Sequence, residues 1–250
     1  LNGCRYPENG PPRQLNFEEL LKIIRRELLG WCGGLQQVPS AHFLAVVRLL
    51  GAGGGRERPQ TLLTAVARSG EQKMRLLRQG DGSGKSALDR ILEGIGSRGL
   101  CIILGSGDGE YDQFLIRRAA KHDNLIFLNG YSPACAQALY AAGDLFLMPS
   151  SFEPCGLSQM LAMAAGQPCL VHAVGGLKDT VRHGRNGFVF GGDTVAEQAR
   201  NFVTATLEAI ALQQNNPGTW HEISKKAAAA RFTWQRTAEG YLDQLYNPLS

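Results

Sequence analysis

From Thr61 onward the chain alternates short, unbroken apolar runs with amphipathic stretches. The runs are TLLTAVA (61–67), LCIILG (100–105), NLIFLNG (124–130), DLFLMPS (144–150) and PCLVHAV (168–174). Between them lie helical spacings near 86–97, 109–121, 133–142 and 156–165. The runs do not alternate apolar with polar, as strands exposed on one face would; runs of this kind belong to strands covered on both faces, as in a parallel sheet. Strand–helix alternation at this interval predicts an α/β fold with a doubly wound, Rossmann-like parallel sheet. Ligands of such sheets bind at the carboxyl ends of the strands, near the point where strand order reverses.

Either side of this region the pattern changes. Asn16 is placed to cap a helix carrying Leu20, Leu21, Ile24 and Leu28, and His42–Leu50 reads as a second helix. GAGGGRERPQ (51–60) reads as a connector. Residues 194–246 read as two or three helices, broken at Pro217–Gly218, with Trp220, Phe232, Trp234, Tyr241 and Leu245 as packing anchors.

With 250 residues the chain can bury a full α/β core. No run of 18 or more apolar residues suggests a membrane span, and the first residues lack the basic-then-apolar pattern of a signal peptide. The net charge of +4 is mild and spread along the chain, so neither nucleic acid nor membrane is expected as a partner. The six cysteines form no CxxC pair and no His-linked metal pattern. Cys101, Cys155 and Cys169 lie in or beside apolar segments, as reduced core thiols do, which fits a cytoplasmic protein.

The segments carrying chemistry cluster at the predicted strand ends. In FEPCGL (152–157) a helix starting near Pro154 would leave the amides of Cys155, Gly156 and Leu157 free for a diphosphate. Glu153, just outside, could accept bonds from sugar hydroxyls or simply complement the helix dipole. In HAVGGLKDT (172–180), Gly175 and Gly176 allow close approach to phosphate, or form an ordinary strand-to-helix turn capped by Asp179 or Thr180. In ARSGEQK (67–73), Arg68 and the loop residue Lys73 could flank a diphosphate or be solvated surface charges. LGSGDGEY (104–111) places Gly105 in a turn after a strand, with Asp108 near a cap. Tyr131 could stack on a base or pack on the next helix. GDGSGKSAL (80–88) lacks the spacing of a phosphate-binding P-loop. His172 and His183 have no partner at suggestive spacing and read as structural.

Taken together, PSSFEPCGLSQMLAM and HAVGGLKDTV resemble the nucleotide-sugar half of bacterial glycogen synthases and plant starch synthases, a GT-B-type family. The resemblance is close over 61–180 and looser to FTWQRTAEGYLDQLY. It implies retaining transfer of glucose from ADP-glucose, or UDP-glucose, to the nonreducing end of an α-1,4-glucan, without a metal. Arg68, Lys73 and Glu153 match the family's catalytic positions. Cys155, Gly156 and Leu157 match its diphosphate-binding amides, and Tyr131 its base-side aromatic; Gly105, Gly175 and Gly176 are carried as further donor contacts. Ser69, Gly70 and Met74 depart from the family's pattern and predict a looser loop. The family's Lys-x-Gly-Gly-Leu loop has no counterpart, and LNG (1–3) resembles its interdomain hinge. The chain therefore divides into a hinge and helical lead-in (1–58) and a nucleotide-sugar-binding domain with C-terminal helices (59–250). It reads as a donor-binding half, with acceptor contacts supplied by a missing N-terminal half. A noncatalytic nucleotide-sugar-binding module, or part of a sucrose- or trehalose-type glucosyltransferase, remains the alternative.

Overall fold

The computed structural model describes residues 15–32, 39–50, 57–80 and 82–243. The expected hinge at 1–3, the GAGGG segment and Leu245 lie outside them. Among the described residues six parallel strands form one sheet: β1 (Thr61–Val66), β2 (Gly99–Gly105), β3 (Leu125–Asn129), β4 (Leu145–Met148), β5 (Cys169–His172) and β6 (Gly187–Phe190). Their order is β3-β2-β1-β4-β5-β6, the doubly wound order with its reversal between β1 and β4. The first five strands follow the apolar runs. β6 was not anticipated, since GFVF is short and abuts the turn-forming HGRNG.

The helices explain why the strands are apolar throughout. On one face, α1 (Phe17–Cys32), α2 (Ser40–Leu50) and α6 (Pro133–Ala142) pack on Leu62, Leu100, Ile102, Leu104, Ile126 and Leu128. The intervening residues Leu63, Ala65, Cys101, Ile103, Leu125 and Phe127 turn the other way. They meet α3 (Glu71–Arg78), α4 (Ala87–Ile95), α5 (Gly109–Lys121) and α9 (Val195–Asn215). A third cluster joins β4 and β5 to α7 (Ser158–Ala164) and α8 (Gly175–Thr180). The period-2 alternation is present in the geometry but hidden in the sequence, because both faces need apolar side chains. Asn16 caps α1 as expected, its side chain accepting from the Glu19 amide at 2.9 Å. Leu20, Leu21, Ile24 and Leu28 are buried, and the described lead-in helices share a core with the sheet.

Pro217 opens α10 (Pro217–Ala229), and α11 (Trp234–Tyr241) follows. Trp220 stacks on Phe188 with ring centroids 5.6 Å apart, and Phe232 packs against the third cluster. Trp234 and Tyr241 are exposed rather than anchoring. Cys155 is also exposed, whereas Cys101, Cys135 and Cys169 are buried; burial pushes the Cys101 thiol up to about 12.

A buried carboxylate ties α4 to α5. Asp89 on α4 is fully covered and forms the capping box with Ser86. It takes the Ser86 amide at 2.8 Å and hydroxyl at 2.7 Å. It also meets Arg118 at 3.2 Å, Lys121 at 3.7 Å and His122 at 2.6 Å. Burial pushes this carboxyl up, but the Ser86 bonds, His122 and Arg118 together hold it below its ordinary value. Asp89→Ala should cost about 3 kcal/mol in denaturant unfolding. That is the low end for breaking a buried ion pair, because Arg118 and Lys121 keep part of their water. The stability Asp89 contributes is present above the unfolded carboxyl value of about 3.9 and is lost as pH falls through the lower folded value. Unfolding curves of wild type and Asp89→Asn should therefore converge in acid.

Candidate functional site

The reversal of strand order places the loops after β1 and β4 side by side. Leaving β1, the Ala67 amide bonds Leu104 and the Ser69 amide bonds Ser106, while the Asp108 amide returns to the Ser69 carbonyl. The Ser69 hydroxyl donates to Asp112 on α5, and Ser69 is almost fully buried. Gly105 and Gly107 sit beneath this loop, where a β-carbon would overlap the Ala67 and Ser69 carbonyls. The missing side chain at Gly105 is thus accounted for by loop-on-loop packing. Asp108 caps α5 through the Glu110 amide at 2.9 Å.

The expectation of a loose segment here is overturned. Ser69 is bonded, Gly70 precedes α3, and Met74 is buried in the core. Lys73 lies in the first turn of α3 rather than in a loop. That helix was not anticipated, because EQKMRLLR carries few apolar positions.

From the other side, the Ser151 amide bonds the Gln72 carbonyl at 2.8 Å and the Gln72 amide nitrogen donates to the Phe152 carbonyl at 2.7 Å. This double link sets Glu153 against Lys73, and the two form an ion pair. Glu153 is 8% exposed. Its carboxylate also lies 3.4 Å from the Ser150 hydroxyl. Burial, and then the Arg68 guanidinium, push the Lys73 ammonium below its ordinary value; the Glu153 carboxylate opposes both by favouring the charged form. Arg68 itself is exposed, and among the described residues it forms no ion pair. Lys73 and Glu153 are therefore paired at the switch point, and Arg68, on the loop leaving β1, is close enough for its charge to act on Lys73.

The turn 153–157 differs from the expected helix start. α7 begins at Ser158, not Pro154, and Gly156 adopts φ of 79°, a conformation that strains other residues. The Gln159 amide nitrogen bonds the Gly156 carbonyl at 2.9 Å and the Cys155 carbonyl at 3.2 Å, fixing the turn from within. Gly175, with φ of 45°, and Gly176 lie against it. The Gly176 amide donates to the Glu153 carbonyl at 3.1 Å, and β-carbons at these glycines would overlap the Glu153 and Cys155 carbonyls. Both glycines open α8, with Val174 as its N-cap. Asp179 and Thr180 lie at its other end and do not cap its start.

His172 is buried and bonds the Ser150 carbonyl through Nδ1 at 2.9 Å. A carbonyl only accepts, so the proton is on Nδ1. Its ring stacks on Phe190 at 5.0 Å, which makes it a brace for the Glu153 loop. Exposed His183 bonds the Val189 backbone. Tyr131 stands two strands from β1, after β3, and is 82% exposed. Gln72, Ser150 and Asp112 are supports that the sequence analysis did not single out, whereas His172, read there as structural, has that role. Cavities of about 500 Å³ below β4 and β5, and about 620 Å³ between α4 and α9, contain none of Arg68, Lys73 and Glu153.

Comparison with known proteins bears on this arrangement. Residues 95–208 match the family model for glycosyl transferases group 1. A glycogen synthase of Desulfitobacterium hafniense is 38% identical over 149 residues, which is 57% of this chain and 31% of that protein. One of Streptococcus pneumoniae is 40% identical over 153 residues, covering 59% and 31%. The chain thus spans less than a third of the length of the curated relatives it matches. Among solved structures, the catalytic domain of starch synthase IV from Arabidopsis thaliana, bound to ADP and acarbose, superposes with a TM-score of 0.63. It shares 29% identity, over 84% of this chain and 42% of that one. Sucrose-phosphate synthase from Thermosynechococcus elongatus shares the fold at 22% identity and a TM-score of 0.56, over 82% and 48%. The family match begins at the end of α4 and runs into α9, taking in the Glu153 turn and the Gly-Gly turn beneath it; over that span the chain is similar to the glycosyl transferases group 1.

Proposed function

We propose that this chain is the donor-binding half of a retaining glucosyltransferase of the glycogen and starch synthase type. It would hold ADP-glucose while a second half presents the nonreducing end of an α-1,4-glucan. The observation that carries this reading is the pairing of Lys73 with Glu153 at the β1–β4 switch point, with the charge of Arg68 acting on Lys73 from the adjoining loop. Departure of the nucleotide leaves negative charge on its diphosphate. Lys73, held beside that position, would stabilise the charge as it develops with little reorganisation, and the exposed Arg68 side chain would close on it from the loop after β1.

Glu153 has two tasks in this scheme. Before a donor arrives it neutralises Lys73, so the partly buried ammonium is not left alone. When the diphosphate takes over that role, the carboxylate is free to accept bonds from sugar hydroxyls. Tyr131 is the candidate to stack on the base. The turn 155–157, with Gly156 offering close backbone approach, is the candidate contact for the phosphates. UDP-glucose is the competing donor, since none of these groups reads the base edge. No helix among the described residues is long and apolar enough to cross a membrane.

Calorimetric titration with ADP, UDP and ADP-glucose tests the reading directly. ADP should bind, and Arg68→Ala and Lys73→Ala should each weaken it about tenfold or more, the worth of one charge-assisted bond. Absence of binding by all three nucleotides would sink the proposal. In glucan elongation by the protein with its acceptor-side half, Lys73→Ala should lower turnover by about 10²–10³.

A second measurement separates the sugar from the phosphate end. Glu153→Gln should narrow the gap between ADP-glucose and an epimeric donor, because a site built to pair hydroxyls penalises a misplaced one. Unchanged epimer selectivity would remove Glu153 from the sugar site. Gly175→Ala forces a side chain against the Glu153 carbonyl at a left-handed φ; it should cost about 1–3 kcal/mol of stability and weaken nucleotide binding together.

A further inference from the structure

At the edge of the sheet the turn joining α8 to β6 lies beside the end of α10. Together they line a cavity of about 320 Å³. Its wall carries Arg182 and Arg185 from the turn, Lys226 from α10, and Arg231 just beyond. Among the described residues Asp179 is the one carboxylate in the lining, so four cations less one anion leave a net charge of +3 there. Several other cations of this protein are answered by a carboxylate: Arg58 by Asp144, Arg78 by Glu110, Arg118 by Asp89. Among the described residues none of these four forms an ion pair.

The turn does not need its arginine heads. The Arg182 amide bonds the Asn186 side chain at 2.7 Å, the Arg185 amide bonds the Arg182 carbonyl at 3.1 Å, and Asn186 donates to the Thr180 carbonyl at 3.2 Å. Backbone and Asn186 close it alone. The Arg231 guanidinium is fixed by the Ala228 and Ala230 carbonyls, which holds one charge in place at the cavity. Phe232 and Ala230 give the same wall an apolar side.

We infer that this cavity is a binding site for a small phosphorylated organic anion, separate from the switch-point site. Guanidinium forks pair with phosphate oxygens, and Phe232 offers a surface for the ligand's carbon skeleton. The volume lies at the lower end of ligand pockets, too small for a whole sugar nucleotide. The residues precede β6, at the amino end of the parallel strands, whereas Lys73 and Glu153 lie at their carboxyl ends. A ligand here would not compete with the donor.

Inorganic pyrophosphate is the probe, titrated by calorimetry in about 0.15 M salt so that diffuse attraction is screened. One binding event should survive Lys73→Ala and be weakened about tenfold or more in Arg182→Gln/Arg185→Gln. Both arginines are exposed, and thermal unfolding checks that the variant is folded. The competing use of these charges is to offset the carbonyl ends of α8 and α10. It predicts no such event in the wild type and only a lower Tm in the variant, and either absence of the event or an unchanged isotherm in the variant overturns the inference.

Discussion

An ammonium and a carboxylate from segments eighty residues apart are brought together because β1 and β4 are neighbours whose connections leave in opposite directions. That reversal opens a crevice the chain need not otherwise build. The backbone closes it partway: Gln72 is linked at both its carbonyl and its side chain to residues 151 and 152. The charges of Lys73 and Glu153 are then forced into contact. A pair this buried contributes little net stability, since desolvating two ions offsets most of their attraction. Its use lies in what the pair makes available, a fixed cation and a fixed acceptor at the mouth of a switch point.

The glycines show how such a site is kept rigid. At Gly105, Gly107, Gly175 and Gly176 the nearest neighbours are carbonyls of the loops that bear Arg68 and Glu153. Backbone packed directly on backbone leaves those loops little room to shift. Positioning of charge to a fraction of an ångström is what electrostatic stabilisation of a leaving group demands. The residues that most resemble phosphate contacts in sequence therefore act, at these four positions, on the loops that would make the contacts.

This separates what was legible from what was not. Strands covered on both faces leave an unmistakable run of apolar residues, so β1 to β5 and the doubly wound class could be read directly. The Arg68, Lys73 and Glu153 set could be read from spacing against a known pattern. α3 could not, since its buried Met74, Leu76 and Leu77 are outnumbered by polar side chains. The start of α7 was misplaced because Pro154 suits a turn as well as a first helical position, and nothing local announces that Gly156 takes a left-handed φ. Supports such as Ser69 with Asp112, or His172 under Ser150, are formed between distant segments and leave no mark on either.

Ser69 carries this furthest. By comparison with the resembled motif, a serine and a glycine after Arg68 suggest slack. In the folded chain the serine hydroxyl is taken up by Asp112 and its carbonyl by the Asp108 amide. The loop is held from α5 instead of by a larger side chain of its own. A departure from a motif is therefore no measure of a weakened site until the partner that replaces the lost contact has been sought. Here the replacement lies on the next helix along the sheet, on the side of β1 away from Glu153. The two sides of the crevice are thus anchored independently, Arg68 through β2 and α5, Glu153 through β5 and α8. Lys73 and Gln72 are what join them, which makes the first turn of α3 the place where the geometry of the whole site is set.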